Sequence, residues 1–302
     1  MSPGEWALLG GLSLVWGASF MFIEIGLREI PPFSIAVYRI VIAGVLLAVY
    51  VHVRGNRLPA SPRTWVAFAV LSLFANVIPF SLIMWGQQYI TSGLASILNA
   101  TTPIFAVTLA HLFTADEPMT RNRVGGVLLG FAGVAVMTGP EVLAGITLHG
   151  WGQFAVLGAA FCYGTAGVLA RNLRGISPTV ISAGSMLCAS VIIVPVAWMF
   201  DGTIHVPHHP ATWLALLWMS VLGTALAYVI YYRLISLAGP TNASLTTLLV
   251  PMNALLLGAI VLGESLDWHA AAGMALIFAG LLTVDGRLMQ WLLRGRAAPE
   301  TD

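Results

Sequence analysis

The chain has 302 residues, of which 58% are hydrophobic and 8% are charged, and its formal net charge is +1. Soluble globular domains carry about 25% charged residues, so this composition excludes a soluble domain and indicates a protein that crosses a membrane many times. We expect a lipid bilayer and small molecules as its partners, and no nucleic acid.

Ten apolar segments follow one another along the chain, and each is long enough to cross about 30 Å of hydrocarbon as a helix. They cover residues 6–26, 32–53, 65–86, 92–113, 121–139, 150–171, 178–200, 211–233, 241–262 and 267–289, and are called spans 1 to 10. Span 1 has no basic stretch before it and no small-residue cleavage site after it, so we expect a retained helix. The sequence predicts an all-α polytopic membrane protein with ten transmembrane helices.

The basic residues, thirteen in number and all arginine, support this count of spans. Ten spans leave both termini on one side, and that side collects eleven arginines while the other side holds Arg28 alone. The eleven are Arg54, Arg57, Arg63, Arg121, Arg123, Arg171, Arg174, Arg233, Arg287, Arg294 and Arg296. Because basic residues accumulate on the cytoplasmic side, both termini are predicted to be cytoplasmic. The remaining arginine, Arg39, lies inside span 2.

The two halves of the chain repeat the same landmarks at an offset of 147 or 148 residues. The pairs are Trp16-Gly17 with Tyr163-Gly164, Pro31 with Pro178, Pro103 with Pro251, Glu117 with Glu264, and Phe131-Ala132-Gly133 with Phe278-Ala279-Gly280. Each half holds an odd number of spans, so the second half enters the membrane from the opposite side, as in many transporters. The sequence predicts a five-helix repeat at 1–140, an inverted five-helix repeat at 150–290 and a short cytoplasmic tail at 291–302.

Four spans carry polar and aromatic residues on one helical face, at spacings of three and four residues. Lipid offers no partners to polar groups, so such faces should point to the bundle interior or to a watery cavity. The candidate substrate pathway comprises Asn76, Pro79, Phe80 and Ile83 in span 3, Ser96, Asn99 and Pro103 in span 4, Thr224, Tyr228 and Tyr231 in span 8, and Ser244, Thr247 and Pro251 in span 9. Trp16 and Tyr163 add aromatic walls whose ring faces attract an ammonium group.

Two prolines and one arginine within the spans leave alternatives open. Pro103 and Pro251 each free the carbonyl four residues earlier, at Asn99 and Thr247. A kink beside polar side chains suits a substrate site between repeats, whereas the alternative is a packing kink whose hydroxyl side chains bond back to their own helix. Arg39 could snorkel to the outer interface as a structural residue or could serve function.

Acidic and metal-ligating residues are scarce in the spans. Glu24, near the outward end of span 1, is the candidate for proton coupling, and the lack of a carboxylate at mid-membrane argues against an exchanger of protons for cationic drugs. His205, His208 and His209 cluster after span 7 but have no acidic or cysteine partner. Without a phosphate loop or an Asp-rich pair, the sequence predicts no enzyme, no cofactor and no metal site.

Spans 5 and 10 are rich in glycine, with spacings such as Gly126 to Gly130 that permit close approach of helices in lipid. We interpret them as scaffold helices, and a homodimer face is the alternative. The predicted assembly is a monomer or a weak homodimer.

Several motifs occur in a characteristic order along the chain: Trp16-Gly17-Ala18-Ser19-Phe20, Arg39, Thr102-Pro103-Ile104-Phe105, Glu117, Val250-Pro251 and Gly263-Glu264. In the order and duplication of these motifs, the chain resembles the drug/metabolite transporter superfamily in its ten-helix EamA branch. Within that branch it is similar to the YddG-type exporters of aromatic and other neutral amino acids. The resemblance implies a basket of ten helices with helices 5 and 10 at its periphery, a cavity lined by helices 1, 3, 4, 6, 8 and 9, and export across a bacterial inner membrane by alternating access.

These observations together predict an exporter of aromatic, neutral and hydrophobic amino acids and related metabolites. A zwitterion could hold its ammonium near Asn99, Thr247 or a tyrosine face. Met186 stands where the repeat would match Arg39, so the halves are not expected to be functionally equivalent. The rival hypotheses are a multidrug exporter of lipophilic cations and a membrane scaffold or receptor that transports nothing.

Overall fold

The computed structural model describes residues 2–113, 119–138, 147–173, 175–238, 243, 246–265 and 267–285. All regular secondary structure in these residues is helical. The helices are α1 (Pro3–Leu27), α2 (Pro32–Val53), α3 (Pro62–Gly86), α4 (Ser92–Phe113), α5 (Arg121–Thr138), α6 (Leu148–Leu173), α7 (Pro178–Asp201), α8 (Pro210–Ala238), α9 (246–262) and α10 (Trp268–Asp285).

Within these described ranges, seven helices are long and apolar enough to cross a membrane, namely α1 to α4 and α6 to α8. Helices α9 and α10 contain the shorter apolar stretches Leu249–Leu262 and Trp268–Val284. The predicted all-α architecture with many apolar helices is therefore confirmed, while the count of ten spans and the inversion of the halves stay predictions. Glu117, Ser244 and the tail at 291–302 lie outside the described residues.

Proline and glycine mark many helix ends. Proline is the first residue of α1, α2, α3, α7 and α8, where its missing N–H leaves no bond unmade and its fixed φ suits the helix. Gly202 and Gly263 follow α7 and α9 with φ of 77° and 71°, a left-handed backbone that glycine adopts without strain. These residues set the short connections of the bundle.

Three helices contain π-helical segments: Leu73–Val77 in α3, Trp218–Leu226 in α8 and Gly258–Leu262 in α9. The segments of α3 and α8 include Asn76 and Thr224, which are 148 residues apart. A π turn closes its hydrogen bond over one more residue than an α turn. A spacing of three or four residues that is counted across such a segment therefore does not identify residues on one helical face.

The helices pack against partners from the other half of the chain. Helix α5 packs along α10, α2 along α7 and α1 along α9, while α6 contacts both α3 and α4. In the α5–α10 contact, a Cβ on Gly126 would lie 2.5 Å from the carbonyl oxygen of Gly280, and a Cβ on Gly133 would lie 2.7 Å from that of Gly273. The glycines of these two helices thus serve a close contact within the chain.

Large apolar side chains remain on the outer surface of the bundle. Val191, Met199 and Ile260 are 75%, 79% and 79% exposed. In water, large exposed apolar patches mark an interaction site or an aggregation hazard, whereas in a bilayer exposed apolar side chains face hydrocarbon. The outer surface therefore suits a lipid environment.

Candidate functional site

A cavity of about 370 Å³ lies inside the bundle, among α1, α2, α3, α4, α6, α8 and α9. Small-molecule sites typically enclose roughly 300–1,000 Å³. Among the described residues, α5, α7 and α10 contribute nothing to its lining. A molecule of metabolite size would therefore contact most helices of the bundle at once.

The cavity brings together many of the predicted pathway residues. Those that line it are Trp16, Phe80, Ile83, Ser96, Asn99, Tyr163, Thr224, Tyr228, Tyr231 and Thr247. Asn76, Pro79, Pro103, Pro251 and Glu24 do not line it, and Ser244 lies outside the described residues.

Asn76 does not line the cavity because it lies in the π segment Leu73–Val77. This segment packs against α6 and α7, and Asn76 is buried there with both amide atoms lacking a partner among the described residues. The single face predicted for span 3 assumed α-helical spacing throughout. Only Phe80 and Ile83, which follow the π segment, face the cavity.

The proline kink of span 4 is a break in the helix. Helix α4 is interrupted after Asn99, and its second segment begins at Thr102, with Pro103 next. The Thr102 hydroxyl donates to the carbonyl of Asn99 over 2.7 Å, which satisfies the group that Pro103 frees. The side chains of Asn99 and Thr102 also line the cavity. The sequence offered two alternatives for this kink, a hydroxyl group bonded to its own helix and a polar wall of a substrate site. Both features occur together at Asn99 and Thr102.

The Trp16-Gly17 and Tyr163-Gly164 motifs have matching environments. Each aromatic ring lines the cavity. A Cβ on Gly17 would lie 2.7 Å from the Cβ of Asn253 in α9, and a Cβ on Gly164 would lie 2.9 Å from the backbone nitrogen of Ala106 in α4. The glycines allow α1 and α6 to approach α9 and α4 closely, and this approach positions the rings.

The Trp16 ring is fixed by contacts with α8. Its indole Nε1 donates to the carbonyl of Gly223 over 3.2 Å, within the π segment Trp218–Leu226, and its centroid lies 5.5 Å from that of Tyr231. Helices α1 and α8 thereby form one continuous aromatic wall of the cavity.

Arg39 reaches the cavity from α2 and is only 7% exposed. Its Nε donates to the hydroxyl of Thr224 over 3.0 Å, and its Cζ lies 4.1 Å from the centroid of the Phe80 ring. The side chain does not snorkel to an interface, which corrects that alternative. An arginine at the centre of a membrane helix costs about 2.5–3.5 kcal/mol on insertion scales, so these contacts offset a substantial penalty.

The charge of the cavity comes from Arg39, the only charged side chain in its described lining. Tyr163 and Tyr228 line the same cavity and contribute phenol groups to it. Glu24 is half-buried away from the lining, and its charge interacts with those of Glu264 and Arg28. The described lining therefore combines aromatic rings, hydroxyl and amide groups, and one positive charge.

The sequence profile of the EamA-like transporter family matches residues 4–139 and again residues 150–284. The chain belongs to the EamA-like transporter family. An uncharacterized transporter of Archaeoglobus fulgidus is 28% identical over 91% of this chain and 94% of that protein. The uncharacterized transporter YoaV of Bacillus subtilis is 25% identical, with coverage of 89% and 92%. The uncharacterized inner membrane transporter YedA of Escherichia coli K12 is 25% identical, with coverage of 93% and 90%.

A crystal structure that is 18% identical in sequence superimposes with a TM-score of 0.66 over 92% of this chain and 96% of that one. At this identity the likeness shows a shared fold. The family profile thus covers most of the chain in sequence, and the solved structure shares its fold over nearly the same length.

Sequence reasoning missed part of the cavity of this EamA-like transporter. The missed lining residues are Ser19, Phe20, Ile23, Ala100, Gly223, Ala243 and Thr246. Thr102 and Val250, which also line it, directly precede the predicted Pro103 and Pro251, and the sequence leaves the role of Arg39 open. On α1, Trp16, Ser19, Phe20 and Ile23 follow one another at spacings of three, one and three residues, so the face argument applied to span 3 would have found them. Ala100, Gly223 and Ala243 carry no polar signal that could have revealed them.

The described part of this EamA-like transporter contains no group of three His, Cys, Asp or Glu residues that could hold a metal ion. His208 and His209 instead donate their backbone N–H groups to the carboxylate of Glu29, with a distance of 3.0 Å for His209. The histidine-rich loop thereby fastens the connection before α2 to the beginning of α8.

Proposed function

We propose that this EamA-like transporter is a multi-pass protein of the bacterial inner membrane that exports aromatic, neutral and hydrophobic amino acids and related metabolites by alternating access. The observation that carries the proposal is the cavity, which is enclosed by helices of both halves and combines aromatic walls with hydroxyl and amide groups. The description of YedA as an inner membrane transporter supports the location.

An amphipathic amino acid matches this chemistry. Trp16, Tyr163, Tyr228 and Tyr231 offer ring surfaces for an apolar side chain. Asn99 and the hydroxyl groups of α4 and α9 offer hydrogen bonds to a polar head group. Few fixed charges line the cavity, so we expect broad selectivity among neutral amino acids.

A lipophilic cation fits the same cavity less well. Two unit charges of the same sign about 4 Å apart repel by about 4 kcal/mol at an effective dielectric constant near 20, and Arg39 already supplies one positive charge. Glu24, which could compensate a cation, is absent from the lining. Family membership argues against an enzyme, and a scaffold has no use for a polar cavity that many helices enclose.

Flux in reconstituted liposomes tests the proposal. Uptake of radiolabelled phenylalanine, tryptophan, methionine and threonine would be measured with and without a pH gradient, against protein-free liposomes. We expect saturable flux that related amino acids inhibit. Transport of labelled organic cations but of no amino acid would favour the multidrug hypothesis, and folded protein that moves neither class would favour the scaffold or receptor.

A further inference from the structure

We infer that Arg39 binds the carboxylate of the transported molecule, so that substrates must carry a carboxylate or a similar planar oxyanion. This inference rests on the proposed function, because it concerns the substrate class of the same cavity.

The guanidinium of Arg39 has donors left over after its contacts within the chain. Arginine presents five N–H groups in one plane, and the Nε group is used by Thr224. The terminal nitrogens have no hydrogen-bond partner among the described residues. The Phe80 ring lies 4.1 Å from Cζ, measured to its centroid, and has no oxygen or nitrogen that could accept a hydrogen bond. The unused donors therefore call for an acceptor within the cavity.

A bound carboxylate is the acceptor that best fits these donors. Arginine and a carboxylate form two parallel N–H···O bonds, and this pairing is stronger and more specific than contact with a neutral group. A buried charge without a counter-charge is unfavourable, and the described lining supplies no acid. A bound carboxylate would thus supply the counter-charge for the Arg39 guanidinium that the described lining lacks.

The position of the guanidinium is fixed before any ligand arrives. The Thr224 hydroxyl donates its own proton to the carbonyl of Met219 over 2.8 Å, within the π segment of α8, so its oxygen lone pairs are available to accept from Arg39. The bond from Nε to Thr224 and the Phe80 ring 4.1 Å from Cζ both restrict the guanidinium. Such preorganisation reduces the loss of side-chain freedom on binding.

The other end of a zwitterion has weaker partners in the same cavity. Asn99 and Thr246 are among its lining residues, and their buried side-chain oxygens, Oδ1 and Oγ1, have no hydrogen-bond partner among the described residues. Both are neutral groups that could accept from an ammonium, and bonds between a charged and a neutral group contribute less than an ion pair with two bonds. Loss of the carboxylate should therefore weaken binding more than loss of the amine.

Two analogues of phenylalanine separate these contributions. 3-Phenylpropionate keeps the carboxylate and lacks the amine, whereas phenethylamine keeps the amine and lacks the carboxylate. We expect titration calorimetry on the purified full-length protein to show binding of phenylalanine and of 3-phenylpropionate, with phenethylamine about 10- to 100-fold weaker. Binding of phenethylamine as tight as that of 3-phenylpropionate would overturn the inference.

Substitutions at Arg39 test the same point. Arg39→Lys keeps the charge but loses the planar pair of donors, and Arg39→Met loses both. We expect the Kd for phenylalanine to rise about tenfold for the first and further for the second, and Arg39→Met to abolish the preference for the acid over the amine. Arg54→Met is the matched control, because Arg54 also faces a ring, Tyr50 at 5.9 Å, but lies at the end of α2 and outside the cavity.

Folding of each variant would be checked by size exclusion and thermal unfolding. The comparison of the two analogues on the unmodified protein needs no variant, so a misfolded Arg39 variant leaves the inference testable.

Flux and binding together distinguish failure of this inference from failure of the proposed function. Preferential binding of the acid without flux of any amino acid would refute export and leave the carboxylate site standing. Saturable phenylalanine flux that phenethylamine inhibits as well as 3-phenylpropionate would keep export and refute the role of Arg39. Folded protein that binds neither phenylalanine nor 3-phenylpropionate would also refute it.

Discussion

The carboxylate of Glu264, between α9 and α10, accepts two hydrogen bonds from Ser92 at the first residue of α4. The Ser92 N–H donates to one oxygen over 2.9 Å and its hydroxyl donates to the other over 2.9 Å. The N–H of Gly93 adds a third bond of 3.1 Å. A carboxylate at this position also interacts favourably with the dipole of α4, so Glu264 ties the second half of the chain to a helix of the first.

Replacement of this carboxylate should destabilise the bundle. Glu264→Gln loses the charge and one acceptor, and we expect a loss of about 1.5–3 kcal/mol in unfolding free energy, the usual contribution of a hydrogen bond to a charged group. Thermal unfolding in detergent, followed by tryptophan fluorescence, would measure it. Asp267→Asn is the control, because its side chain is 65% exposed and bonds only locally to His269. Equal losses in the two variants would contradict the interpretation.

The inverted orientation of the two halves can be tested at one pair of matching residues. Asn56 and Thr203 are 147 residues apart, and both are exposed in loops, after α2 and after α7. In a background with Cys162 and Cys188 replaced by alanine, we expect a membrane-impermeant maleimide to label Thr203→Cys in intact cells. Asn56→Cys should react only after permeabilisation. Labelling of both from the same side would exclude an inverted repeat.

The contact between α5 and α10 predicts intolerance of small substitutions. Gly133→Ala would bring a methyl group to 2.7 Å from the carbonyl oxygen of Gly273, a backbone atom that cannot move independently. Overpacking of this kind costs about 1–3 kcal/mol, so we expect a lower thermal midpoint. Gly10→Ala in α1 makes the same chemical change with no atom within 4 Å and should be neutral. A dimer lost without loss of stability would instead indicate a role for Gly133 between chains.

Glu29 predicts a pH dependence of stability. Desolvation raises the pKa of its carboxyl, but hydrogen bonds from the Thr212 hydroxyl and from the N–H groups of His208 and His209 outweigh it, so the pKa lies below its ordinary value. The ionised form is therefore favoured by folding. Its stabilising effect is present above the ordinary pKa of 4.5 and is lost as the pH falls through the lower folded value.

Thermal midpoints of the unmodified protein and of Glu29→Gln, measured from pH 7 to pH 3, would test this effect. We expect the substitution to lower the midpoint at neutral pH and the difference to shrink once the pH falls below about 4.5. A difference that stays constant over this range would show that the charge of Glu29 is not its cause.

Much of the cavity could be predicted from the sequence because lipid penalises polar side chains wherever they are not enclosed. Ser96, Asn99, Thr224 and Thr247 are identified in this way, and Asn99 and Thr247 occupy matching positions in the two halves. The same argument fails at Asn76. The π segment of α3 depends on how the helix packs, and no periodic pattern in the sequence reveals it. Polarity identified the right helices, while helix distortion decided which residues face inward.

The setting of Arg39 could not be predicted because its partners are distant in sequence. Thr224 is 185 residues away in another helix, and the Phe80 ring belongs to a third. A single arginine in an apolar span is compatible with snorkelling and with burial, and only the packed bundle distinguishes them. The fold was therefore more predictable than the electrostatics of its cavity.

The cavity walls predict which substitutions reduce transport. Asn99→Ala removes an amide and Tyr228→Ala removes a ring from the lining, so we expect each to reduce the transport efficiency, kcat/KM, about tenfold, as loss of one substrate contact of about 1.4 kcal/mol would. Protein levels should stay unchanged, because neither side chain fills the α5–α10 or α2–α7 contacts.

Matched controls come from the same helices. Asn76→Ala alters a buried amide of α3 that does not line the cavity, and Tyr232→Phe removes a hydroxyl of α8 that bonds to Ser182 over 3.1 Å, also outside the lining. Both should transport normally in the liposome assay. Unchanged transport in both Asn99→Ala and Tyr228→Ala would refute this cavity as the substrate site, because lining residues of two different helices could then be altered without effect on the transported molecule.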